Sequence, residues 1–337
     1  MNTVFIIGNG FDINLGMGTK FCDFLEYYLT VESHSVLVDN FKKDISNDIV
    51  NWSNLELALG SYTAKLQTTK EFEEVYEDIK DRLADYLQNI ESTFNFENKH
   101  RDKLLNYFAF PEKLLPPADI IAFDQYRNKW KTFQWNINIV TLNYTMSLEK
   151  LIEYNGANIL INKNINGYPI MLQKIEHVHG FLDNRMIMGV NDDTQISNDS
   201  FKDILEVTEV LIKDNCNKAF KQLVELSCQS RIKEAHLICI FGSSIGDTDN
   251  MWWELIGEQL EKGCKLIIFY KGEDYPLRRE NLKWQDERKL KKAFLNKTKL
   301  TEEQKEDVSS NIYINVNSKM FDIFPKNIVK EKELKSA

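Results

Sequence analysis

Short apolar runs, largely β-branched, alternate along this chain with longer stretches whose apolar residues return every three or four positions. The runs fall at 4–7, 137–142, 177–179, 186–190, 236–241, 266–270 and 312–316. Strand-length runs separated by segments of helical period predict β/α alternation, and hence a parallel sheet. Several runs are apolar throughout rather than alternating, as strands are when helices cover both faces. A doubly wound α/β arrangement follows.

About 130 residues lie between the first two runs, far more than one crossover needs, and they read as helices. The sheet is therefore expected to be interrupted by a large helical insertion over 34–130. Its clearest helix starts at Thr68, where Glu71 completes a capping box, and carries Phe72, Tyr76, Ile79, Leu83, Tyr86 and Ile90 at steps of four and three. The stripe is short for a coiled-coil seam, so packing against a neighbouring helix of the same chain is the simpler reading. Pro111, Pro116 and Pro117 end the helical region. The α/β domain is assigned to 1–33 and 131–330, with a frayed, charged tail after Ile328.

Composition narrows the class without naming a function. A chain of 337 residues that is 43% hydrophobic and 28% charged has material for a sizeable core, which excludes disorder for most of it. Only 14 glycines and six prolines argue against an all-β, turn-dominated architecture. No apolar stretch approaches a bilayer span, and residues 1–10 lack the basic flank and long apolar region of a signal peptide. The expectation is a cytoplasmic chain with no membrane partner. Five cysteines without a C-x-x-C pair suit reduced thiols better than disulfides or structural zinc. A net charge of −9 opposes direct nucleic-acid binding. Residues 262–337 reverse that sign, with 18 lysines and arginines against 12 acidic residues, a pattern that solvated helix faces explain more simply than an acidic partner does.

Four strand ends carry candidate chemistry. The first run ends in G-N-G-F-D (Gly8, Asn9, Gly10, Phe11, Asp12), where paired glycines let backbone N–H groups approach a phosphate. The third glycine of the dinucleotide fingerprint is replaced by Ile13, so a plain tight turn reads equally well. The second ends in T-L-N-Y-T, which places Thr141, Asn143 and Thr145 where a parallel strand opens onto a ligand crevice, although an asparagine at a strand end, taken alone, reads more simply as a turn former. The third, E-H-V-H-G, would point His177 and His179 to one face of a strand, as an acid/base pair or a metal site. No further ligand at recognised spacing supports the metal, so none is expected. Gly180 after His179 suits close approach of a substrate, while His177 reads more readily as structural. The fourth ends in G-S-S-I-G-D-T-D, where Gly242, Ser243 and Ser244 offer a second phosphate or ribose cradle. Asp249 reads most simply as a helix N-cap, and Glu56 as the partner of Ser53 in a capping box, although Glu56 would also reach a crevice.

Taken in order, G-N-G-F-D, W-x-x-L-E, T-x-N-Y, H-V-H-G and F-G-S-S-x-x-x-x-D resemble the AbiH family of bacterial abortive-infection, anti-phage proteins over nearly the whole chain. More remotely, the four strand ends resemble the NAD-binding domain of sirtuins and sirtuin-like NAD hydrolases. The fold the resemblance implies is α/β, a Rossmann-like doubly wound parallel sheet with a large helical insertion. By that resemblance Gly8 and Gly10 correspond to phosphate-binding glycines, with Asn9, Phe11, Asp12 and Thr141 beside them. Gly242, Ser243 and Ser244 correspond to the late dinucleotide contact. Asn143 and His179 correspond to the catalytic pair. Sirtuin deacylases carry a cysteine-ligated zinc module, and this chain has no such cysteine pairs. The implied ligand is NAD as substrate, hydrolysed to nicotinamide and ADP-ribose. ADP-ribosyl transfer and nucleotide sensing without turnover are the alternatives. The partners expected are NAD or a related nucleotide, a phage-derived trigger and a second copy of the chain, with the insertion as lid or assembly surface.

Overall fold

Successive residues of a strand face opposite ways, and here both directions lead into apolar cores. In β1 (Asn2–Ile7), Phe5 and Ile7 enter one core while Val4 and Ile6 enter another. The computed structural model, which describes residues 1–276 and 278–323, repeats this division along the sheet. β2 (Trp135–Thr141), β3 (Ile159–Lys163), β4 (Pro169–His177), β5 (Leu237–Phe241), β6 (Lys265–Tyr270) and β7 (Ile312–Val316) join β1 in the order β3-β4-β2-β1-β5-β6-β7. Only β3 runs antiparallel to its neighbour. Without β3 the order is that of the doubly wound dinucleotide-binding sheet, with its switch point where β1 lies between β2 and β5. The α/β reading holds.

One face of the sheet is covered by the helices Arg101–Ala109, Pro117–Arg127 and Ser147–Ile152, which contribute Leu104, Phe108, Phe123 and Leu148. The other is covered by Val224–Lys233, Asn250–Glu261 and Glu302–Ser309, through Ile232, Trp252, Trp253 and Val308. A third core stands apart from the sheet. It gathers Phe24, Phe41, Trp52 and Leu59 around the helix Thr69–Thr93, and Met186, Met188 and Phe201 close it. Ile79 and Leu83 of the predicted stripe lie inside this core, so the stripe is internal packing. The helix opens with the expected capping box between Thr68 and Glu71.

Three readings of the sequence are corrected. Residues 186–190 form no strand; they are apolar because they seal the third core, and Val190 makes only an isolated bridge to Ile212. β3 and most of β4 were not expected, because β3 is a half-exposed edge whose composition does not mark it. The strand ends at His177, so His179 lies beyond it in a turn. The tail after Ile328 and the 330 boundary lie outside the described residues.

Candidate functional site

Gly8 N–H donates to Phe241 O at 3.0 Å, and Gly10 N–H donates to Gly242 O at 2.6 Å, so the ends of β1 and β5 are stitched backbone to backbone. A Cβ on Gly10 would stand 2.7 Å from the Gly242 Cα and carbonyl oxygen, and one on Gly8 would stand 2.8 Å from the Gly242 oxygen. Gly242 itself has φ 69° and faces Phe11 N equally closely. The glycines are therefore required first by one another. Gly180, at φ 74°, has its own local reason: a Cβ there would meet the Arg185 carbonyl, which explains the glycine without a substrate.

Above this seam opens a cavity of about 1280 Å³. It exceeds the roughly 300–1,000 Å³ usual for small-molecule sites, and so has room for an extended ligand. Gly8, Asn9, Gly10, Asp12, Asn143, His179, Gly242, Ser243 and Ser244 all line it. Leu83 and Leu87 of the inserted helix form part of one wall, and Phe269, Lys271 and Phe294 belong to the β6 side. Phe11 and Thr141 stand behind it: Phe11 is buried edge-on against Phe241 in the core, and Thr141 Oγ1 accepts from Asn143 N–H at 3.1 Å.

Several lining residues are already engaged. The Asn9 amide donates to Thr19 O at 2.6 Å and accepts from Thr19 Oγ1 at 2.6 Å, which locks the loop after the first short helix. Ser243 Oγ accepts from Ile245 N–H. Asp12, in the short helix Gly10–Leu15, accepts from Thr145 Oγ1 at 2.6 Å and from Ser147 Oγ, bracing that helix to the turn between β2 and the helix Ser147–Ile152. Burial pushes its carboxyl up to about 6, against the pull of those two hydroxyls and with a smaller push from Glu91.

The two histidines diverge. His177 is enclosed, with Nδ1 2.8 Å from Asn143 O, Nε2 2.8 Å from Glu149 Oε1 and its ring against Phe181. Both its nitrogens are occupied, so the pair presents no joint metal or acid/base face. His179 Nε2 lies 2.9 Å from Asp249 Oδ1, and its Nδ1 is buried with no partner among the described residues. Two other buried atoms of cavity-lining residues are orphaned in the same way, Asn143 Oδ1 and Asn14 Nδ2.

Behind His179 sits a buried charge cluster. Lys213 Nζ donates to Asp249 Oδ1 at 3.0 Å and to Glu56 Oε2 at 2.8 Å. Glu56 also accepts from Thr248 Oγ1 at 2.8 Å, Tyr144 Oη at 3.3 Å and Gly189 N–H at 3.4 Å. Burial alone would raise the Asp249 carboxyl, but the Lys213 ammonium and the His179 imidazole hold it well below the usual range. Burial likewise works against the Lys213 ammonium, yet the Asp249 and Glu56 carboxylates turn its pKa upward. The capping readings of both acids are thus corrected. Asn54, not Ser53, caps the helix Leu55–Tyr62 by accepting from Leu57 N–H, and Asp249 occupies an N-cap position but makes no side-chain cap. Asn14 and Lys213 were not among the expected residues.

Fold and site together define an α/β protein with a doubly wound sheet, whose crevice, lined by apolar side chains with a few convergent polar groups, lies at the switch point of the strand order. Residues 4–270 match the family described as bacteriophage abortive infection AbiH, and the chain belongs to that family. Its role is accordingly in abortive infection by bacteriophage. No curated protein matches the chain. No described helix is long and apolar enough to cross a membrane.

Proposed function

We propose that this protein acts in abortive infection by binding NAD in the switch-point crevice and hydrolysing it to nicotinamide and ADP-ribose, so that infected cells lose their NAD. The observation that carries the reading is the convergence of three orphaned buried atoms, Asn14 Nδ2, Asn143 Oδ1 and His179 Nδ1, on residues lining one large cavity above a glycine seam. Buried polar atoms in native proteins are nearly always paired, so each of these calls for a polar partner, which a bound nucleotide or an ordered water supplies. A ribose, with its several hydroxyls, meets donor and acceptor needs together.

The chemistry suits these residues. The C1′–N bond breaks with its electron pair passing to the pyridinium nitrogen, so nicotinamide leaves neutral and needs no acid; the barrier is chiefly that of an oxocarbenium-like ribosyl cation. A water oxygen bonds to C1′, and the water's proton passes to His179 Nδ1 and from there to solvent. Asn143 Oδ1 accepts from a ribose hydroxyl or from that water and orients it. With the N–H groups of Gly8 and Gly10 committed to the seam, those of Asn9, Ser243 and Ser244 supply the cradle for the pyrophosphate.

Purified protein incubated with NAD, with and without phage lysate, should release free nicotinamide. No release under either condition from folded protein counts against hydrolysis. A calorimetric titration then separates the readings: binding of an unaltered nucleotide makes the protein a sensor, which would use the cradle without His179.

A further inference from the structure

Lys213 belongs to none of the motifs, yet it joins two carboxylates, Glu56 and Asp249, beside the crevice. Its ammonium is buried, and a buried lysine persists only when paired. Its backbone is fixed as well, because Lys213 N–H donates to Val190 O at 3.0 Å and Val190 N–H donates to Leu211 O at 2.8 Å. The lysine therefore enters the cluster from a pinned point. Glu56 meets it from the helical insertion, and also holds Thr248, the residue before Asp249. A line of contacts runs Glu56, Lys213, Asp249, His179, each link between 2.8 and 3.0 Å.

We propose that Lys213 and Asp249 are positioning residues for His179: Lys213, held by Glu56, clamps the Asp249 carboxylate, and that carboxylate fixes the His179 ring with its proton on Nε2 and Nδ1 bare. The kinetic side of this inference rests on the NAD-cleaving reading; the tautomer does not. Two considerations support it. An ionised carboxylate only accepts, so the 2.9 Å contact to Asp249 places the ring proton on Nε2. The buried cluster also holds two carboxylates against one ammonium, and it becomes neutral when Nδ1 takes a proton from the reacting water. Preorganised compensation of that kind stabilises charge as it develops. A merely structural ion pair would leave both the tautomer and the turnover indifferent to Lys213.

The test uses full-length, ¹⁵N-histidine-labelled protein, with the His179 ring signals assigned by their loss in His179→Ala. Wild type should show the Nε2–H tautomer. The charge-balanced double variant Glu56→Gln, Lys213→Met should shift the ring toward a mixture of tautomers. It should also lower kcat for NAD cleavage by ~10²-fold while KM stays within about threefold. Lys213→Arg, which keeps the charge and both donors, should recover a good part of that loss. If the double variant does not fold, Asp249→Asn, nearly the same in shape, takes its place with the same expectations. An unchanged His179 tautomer, or a loss confined to KM, overturns the proposal. If wild type cleaves no NAD, the hydrolase reading fails by itself, and the tautomer shift alone decides the positioning role.

Discussion

Two imidazoles separated by one residue occupy opposite kinds of surroundings. Around His177 every ring nitrogen meets an oxygen, and the ring ties the loop after β2, through Asn143 O, to the helix Ser147–Ile152, through Glu149. Around His179 one nitrogen is anchored by Asp249 and the other faces no described partner. Satisfaction at both ends makes a brace, whereas satisfaction at one end leaves one nitrogen unpaired on a ring aimed by its neighbour. The difference comes from where β4 stops: His177 is its final residue, and Val178, still bonded to Thr141 O, lets the chain turn so that His179 leaves the plane of the sheet.

The sharpest way to break this contrast is His179→Ala. It should reduce NAD cleavage by ~10²- to 10⁴-fold while fold and nucleotide affinity persist, checked by single-turnover assay and calorimetry at matched expression. Full phage protection by this variant would remove His179 from the chemistry. Gly10→Val comes next. Its side chain has nowhere to go but into the Gly242 backbone, so it should destabilise the protein by about 3 kcal/mol in urea denaturation, with loss of binding following from loss of structure. A stable variant that only fails to bind nucleotide would show instead that the ligand, not Gly242, is what requires the glycine.

Asp12, the brace on the other side of Asn143, gives a pH signature. Its folded-state value of about 6 lies above the ordinary 3.8, so the folded chain holds the proton more tightly than the unfolded one. The stability this adds is complete below about pH 4 and is lost as pH rises to about 6, a change on the order of 3 kcal/mol. Asp12→Asn should erase that slope, and denaturation of both proteins across pH 4 to 7 would reveal a constant difference if Asp12 were unshifted. The smallest effect belongs to His177→Ala. Removing the ring leaves the buried Glu149 without its partner, costing ~1–3 kcal/mol, while turnover of the folded fraction should stay within about tenfold of wild type. Equal loss of turnover at both histidines would erase the distinction between brace and base.

How far the sequence could be read depended on whether a residue's role is local. β1, β2, β5, β6 and β7 are visible as apolar runs because both their faces are covered. β3 is not, since an edge strand with one open side mixes polar and apolar residues. Residues 186–190 misled for the converse reason: burial in a satellite core looks the same, over five residues, as burial in a sheet. At the site, Gly10, Asn143 and His179 stand out because they fall at strand ends. Glu56 and Asp249 stand out only as letters of motifs, and local spacing favoured capping for both. Lys213 could not be found at all, because its partners Glu56 and Asp249 lie 157 and 36 residues away and nothing beside it hints at either.

The glycine seam also has a consequence for how the protein comes into being. β1 is made first, yet one of its two flanking strands begins at Leu237, and the seam from Gly8 and Gly10 closes only on Phe241 and Gly242. Contacts of such sequence separation form late, after the intervening chain has been ordered. Until synthesis passes Asp249, a nascent chain holds its glycine loop, its asparagine and its histidine without the walls that make them a crevice. Ribosome-bound fragments and chains ended before Asp249 should therefore lack the crevice, and whatever the site does begins only once β5 and the loop after it have been added.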